Sequence, residues 1–64
     1  MSTVSLRIKV ERPDKFKAGQ FKTLFRQELV YDSSVVIPFS KLYDGLRLLF
    51  PYEDAIVSFS VVNN

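Results

Sequence analysis

Cysteine and histidine are both absent from this chain of 64 residues. The first absence excludes disulfides and thiolate metal sites. The second leaves only carboxylates and carbonyls as plausible metal ligands. Together they remove Ser–His and Cys–His nucleophile pairs, and every side chain that titrates near neutrality without perturbation. A catalytic lysine or carboxylate would need a buried pocket, and a chain this short has little interior for one. The expectation is a non-enzymatic protein with no cofactor. A membrane-length apolar run is also missing, since Leu48-Leu49-Phe50 is cut by Pro51. The first residues lack the basic start and apolar stretch of a secretory leader, which makes a cytoplasmic location the expectation.

What remains is an ordinary globular composition, 47% apolar and 25% charged. The length implies one small domain, residues 1–64, burying only about 60% of the surface its unfolded chain exposes. Small scaffolds are usually reinforced by disulfides, a metal or oligomerisation. With cysteine and histidine gone, self-association is the support left. The net charge of +2 hides an asymmetry. Residues 1–27 carry seven basic and two acidic side chains, whereas residues 28–64 carry two basic and five acidic ones.

Residues 3–11 alternate without fault. Val4, Leu6, Ile8 and Val10 share one face, and Thr3, Ser5, Arg7, Lys9 and Glu11 share the other. Pro13 ends this strand, and residues 12–22 read as a long basic hairpin connection with Gly19 near its far end. Residues 23–31 fit two patterns. Phe21, Leu24, Phe25 and Leu29 make a helical stripe, while Phe25, Leu29 and Tyr31 make a strand face with Gln27 the misfit. Leu29-Val30-Tyr31 and the lack of a well-placed N-cap favour the strand, with Leu24 and Val30 on its outward face. Asp32-Ser33-Ser34 is turn chemistry, and Val35-Val36-Ile37 reads as a short strand segment before Pro38.

Residues 39–50 form the helix, with Phe39, Leu42, Tyr43, Leu46, Leu49 and Phe50 at a 3.6-residue period. Pro38 and Pro51 bound it. Gly45 reads as a point of close approach to the sheet. The last strand, residues 55–62, carries no charge. Its inward face is Val57, Phe59 and Val61; its outward face is Ile56, Ser58, Ser60 and Val62.

This order predicts an α+β fold: a small antiparallel or mixed sheet with one helix on one face. The first strand is expected in the middle, with a right-handed crossover through the helix. The uncovered face then presents Leu24, Val30, Ile56, Val62 and the small Ser5, Ser58 and Ser60. It reads as a protein interface, formed by stacking faces or by pairing strand edges. Leu48, opposite the helical stripe, joins Tyr52 as a candidate anchor for a partner.

A second group is the basic hairpin. Arg12, Lys15, Lys17 and Lys22 interleave with Phe16 and Phe21, and Arg7, Lys9 and Arg26 extend the patch. Clustered cations suit phosphates, and aromatic faces suit single-stranded bases. The modest total charge favours a blander arrangement, in which the phenylalanines fold back over the edge of the core. Asp44, Glu53 and Asp54 lack the spacing of a calcium motif.

The strand-strand-helix-strand layout resembles small phage proteins that dimerise and inhibit a host enzyme, such as some uracil-DNA glycosylase inhibitors. The resemblance covers topology alone, and no residue role is carried over from it. Those inhibitors tend to be acidic mimics of DNA, whereas the first half of this chain is basic. Two functional expectations follow. One is a homodimeric interaction module that meets a protein partner as inhibitor, adaptor or regulator. The other is a small nucleic-acid-binding protein using the basic hairpin, residues 7–26.

Overall fold

The faultless alternation of the first segment produces the strand that organises the molecule. In the computed structural model, which describes residues 2–64, β1 (Thr3–Pro13) lies between β2 (Phe21–Asp32) and β3 (Ile56–Asn63). Both neighbours run antiparallel to β1, so β2 and β3 are parallel to each other, and the helix α1 (Phe39–Leu49) spans the crossover between them. This is the expected α+β layout with the first strand central. The ambiguous second segment is a strand throughout. The hairpin strands also run further than expected, leaving Asp14–Gln20 as the turn between β1 and β2.

Placing β1 in the middle buries its apolar face from both sides. Leu6, Ile8 and Val10 are buried, and they form the core with Leu46 from the helix. Phe25, Leu29, Val57 and Phe59 pack around them, half-buried. The helix lies diagonally. Near its start Phe39 meets Phe59 edge-on, ring centroids 5.6 Å apart. At its end Phe50 meets Phe25 of the opposite edge strand, 5.8 Å apart. Arg47, in the last turn, complements the helix dipole and donates from Nη1 to the Ala55 carbonyl at 3.2 Å, tying the helix exit to β3.

Several expectations need correction. Leu24 does not face outward but packs, half-buried, against the core cluster. The β1–β2 register slips between Val10 and Glu11: Val10 pairs with Phe25 and Glu11 with Thr23. Leu24 is the extra residue of that bulge, which breaks the strict alternation on which its outward placement rested. Val35-Val36-Ile37 is not a strand; Val36 is almost fully exposed, and only Ile37 reaches the core. Leu49 is 71% exposed despite its place in the helical stripe. It lies about 60° around the helix from Leu46, past the side of so narrow a sheet. Gly45 is not a point of close approach, because a Cβ built there meets nothing within 4 Å.

The result is a long, thin slab of 46 × 22 × 12 Å with a Cα radius of gyration of 13.7 Å. A compact chain of this length would have a radius of about 11 Å. Its accessible surface is 5012 Å², against about 4,200 Å² expected for a monomer of this mass.

Candidate functional site

The register arranges the open sheet face in rows. Ser5 lies between Val30 and Val62, Arg7 between Glu28 and Ser60, Lys9 between Arg26 and Ser58, and Glu11 between Thr23 and Ile56. The outward apolar side chains are therefore separated. Val30 and Val62 sit at one end and Ile56 near the other, about 20 Å away along the strand. Charged rows occupy the middle: Arg7 pairs with Glu28 at 3.3 Å and Lys9 with Glu11 at 3.4 Å. Arg26 has no ion-pair partner among the described residues. Stacking two such faces would bury these charged side chains in the middle of the contact.

Ser5 carries a feature that alternation could not reveal. It is 6% exposed although it belongs to the open face. Its Oγ donates to Asn64 Oδ1 at 3.2 Å and accepts from Asn64 Nδ2 at 2.9 Å. Asn64 Nδ2 also reaches Thr3 Oγ1 at 3.1 Å. This clasp covers the end of the central strand with polar bonds.

The edges of the sheet differ more than its faces. The β2 edge carries Lys22, Arg26, Glu28 and Asp32 along a bulged strand, features that discourage pairing. The β3 edge has no charge, no proline and no register slip over Ile56–Asn63. No strand pairs with its outer side among the described residues. Apolar groups remain half-exposed beside it: Ile56 (46%) on the open face, and Val61 (49%) and Phe39 (41%) on the helix side. Ser58 and Ser60 are exposed between them, and Val62 is half-buried.

The two remaining interface candidates lie elsewhere. Leu48 is 83% exposed on the outer side of α1, as its position opposite the stripe requires. Tyr52 is engaged within the chain: the Arg12 guanidinium lies over its ring, 3.9 Å from the centroid. The same guanidinium donates twice to Asp54, Nε to Oδ1 at 2.8 Å and Nη2 to Oδ2 at 3.4 Å. That bond holds the Asp54 carboxyl below its ordinary value. Asp54 is thereby committed to Arg12, and the described carboxylates gather into no cluster able to hold a metal ion.

The hairpin end overturns the fold-back arrangement. Phe16 is 95% exposed and Phe21 54%. The turn is nevertheless built. Asp14 Oδ1 accepts from the Phe16 amide at 2.8 Å, and the Asp14 amide donates to the Gln20 carbonyl at 2.8 Å. The Gln20 amide reaches the Lys17 carbonyl at 3.1 Å, and Gly19 takes a φ of 80° that other residues rarely adopt. The turn is thus bonded internally while the Phe16 ring stands in solvent. Beside it runs a groove of about 540 Å³, lined among others by Arg12, Lys15, Phe16, Lys22, Leu24 and Tyr52. The nine hairpin candidates thus divide. Arg7, Lys9 and Arg26 belong to the open face and Arg12 to the Asp54 clasp, while Lys15, Phe16, Lys17, Phe21 and Lys22 sit at the hairpin end.

Comparison with protein-family models, curated proteins and solved structures finds no match. No helix is long and apolar enough to cross a membrane among the described residues.

Proposed function

We propose that this protein is a non-enzymatic, cytoplasmic interaction module that works as a homodimer. The contact is antiparallel pairing of β3 with β3 of a second copy, giving one continuous six-stranded sheet. The observation that carries this reading is the β3 edge: uncharged, regular in register, and flanked on both faces by half-exposed Ile56, Val61 and Phe39. A two-fold antiparallel pair places the same strand opposite itself, so one self-complementary edge suffices. Two further features support it. The accessible surface of 5012 Å² exceeds that of a compact monomer of this mass, leaving apolar surface for a contact to cover. Edge pairing also leaves Arg7, Lys9 and Arg26 in solvent, whereas face stacking would desolvate them. The outer side of α1, with Leu48 and Leu49 exposed, remains free in such a dimer. Through it we read the module as meeting a protein partner, as inhibitor, adaptor or regulator.

The register supplies a selective test. Ser58 faces Lys9 and Ser60 faces Arg7 across the β1–β3 pair. The double variant Ser58→Glu, Ser60→Glu gains cross-strand ion pairs inside each chain while setting like charges along the exposed edge. Light scattering after size exclusion should show a dimeric parent and a folded, monomeric variant. A parent that stays at 7.4 kDa across micromolar concentrations refutes the dimer. A variant that dimerises as well as the parent, or better, places the contact away from this edge.

A further inference from the structure

The hairpin end is a second feature, independent of the β3 edge. Its turn presents Phe16 to solvent almost completely, between two lysines, while the Asp14, Phe16 and Gln20 amides are bonded within the turn. Lys15, Lys17 and Lys22 have no ion-pair partner among the described residues. Arg12, which lines the groove, is paired with Asp54. Asp14 is the one acid on the groove rim, and its Oδ1 is held by the Phe16 amide. Glu53 borders Lys15 in an adjoining depression, so three lysines face Asp14 and Glu53, and this end is net positive beside an exposed aromatic face and a groove.

We propose that this end of the hairpin is a contact site for single-stranded nucleic acid. A base stacks on Phe16, and the adjoining phosphates lie against Lys15, Lys17 and Lys22. An aromatic face accepts any base, so the site discriminates little between sequences. It discriminates against duplex, whose bases are already stacked. The groove favours this ligand over a lipid surface. Single strands bind where cations track the backbone beside an aromatic face, and Lys15 and Lys22 line this open groove next to Phe16.

The experiment is fluorescence anisotropy with a labelled oligothymidylate of about 12 nucleotides, at ~50 mM salt and upward. The parent should bind, with log affinity falling against log salt at a slope of about −2, as three phosphate contacts on a single strand require. Phe16→Ala removes a side chain that packs against almost nothing, and it should weaken binding about five- to 150-fold with the slope unchanged. The triple variant Lys15→Gln, Lys17→Gln, Lys22→Gln should flatten the slope toward zero. The Ser58→Glu, Ser60→Glu variant should still bind, because the tip is complete within one chain. No binding at ~50 mM salt overturns the proposal, as does a Phe16→Ala variant equal to the parent. Equal affinity for a duplex of the same length, or binding only to phosphatidylserine vesicles, overturns it too.

Discussion

Gly45 occupies the interior of α1, where its backbone is helical and a methyl group would meet nothing within 4 Å. Alanine there removes the entropic cost of glycine without a clash. Gly45→Ala should therefore raise stability by about 1 kcal/mol in denaturant titration. Gly19 is the opposite case, since its positive φ is required by the turn. The Asp54 carboxyl is lowered by the Arg12 bond, and that of Asp32 by the Ser34 backbone and hydroxyl bonds. A folded-state value below the unfolded one stabilises the protein above the ordinary aspartate value of about 3.9. That stability disappears as pH falls through the folded-state value. Thermal midpoints should be level above about pH 5 and decline below about pH 4. Asp54→Asn should show a shallower decline, and an unchanged acid profile would mean that the Arg12 bond is not formed in solution. At this scale the sequence was most readable on β1, where strict alternation named Leu6, Ile8 and Val10. Leu24 and Ser5 were unreadable for physical reasons. A bulge shifts the first, and the second is covered by Asn64, which is remote in sequence.

Between the elements, stability rests on a narrow seam. Leu46 is the one helical side chain buried against Leu6, Ile8 and Val10. Leu46→Ala should cost about 2–5 kcal/mol, read from chemical or thermal unfolding. A midpoint within a degree or two of the parent would mean that the helix contributes little to the core. The helix itself was legible from its period and its flanking prolines, but its exposed flank was not. The 3.6-residue pattern marks Leu49 as apolar without saying how wide a sheet lies beneath it. The same limit applies to the hairpin strands. Their extension to Pro13 and from Phe21 depends on cross-strand pairing, which no single segment encodes.

Viewed whole, the molecule is longer and thinner than its mass requires, and its unpaired features lie at different places. The proposed antiparallel dimer would set two copies side by side with their hairpin ends pointing in opposite directions. In such a dimer dissociation and unfolding would be linked, so the parent's thermal midpoint should rise with protein concentration. A midpoint independent of concentration over a hundredfold range would contradict the dimer. The lack of cysteine and histidine together with the uncharged last strand is what led to self-association as a proposal. The choice of edge over face needed the register, which shows that charged rows interrupt the outward apolar residues.

The central position of β1 has a consequence for the order of events in folding. Its pairing with β2 closes a short loop, from Pro13 to Phe21, whereas its pairing with β3 joins Glu11 to Ile56 across roughly sixfold more chain. That difference makes the second closure about 1.5 kcal/mol more costly in chain entropy. The rate-limiting barrier should be crossed with the hairpin formed and β3 still undocked. Substitutions such as Leu29→Ala should then slow refolding, while Phe59→Leu should mainly hasten unfolding. A strand that docks late leaves the far side of β1 briefly open, and at high concentration β3 from a neighbouring chain competes for that place. Exchange of β3 between chains is thus a built-in hazard of this topology, set by the kinetics of one long loop.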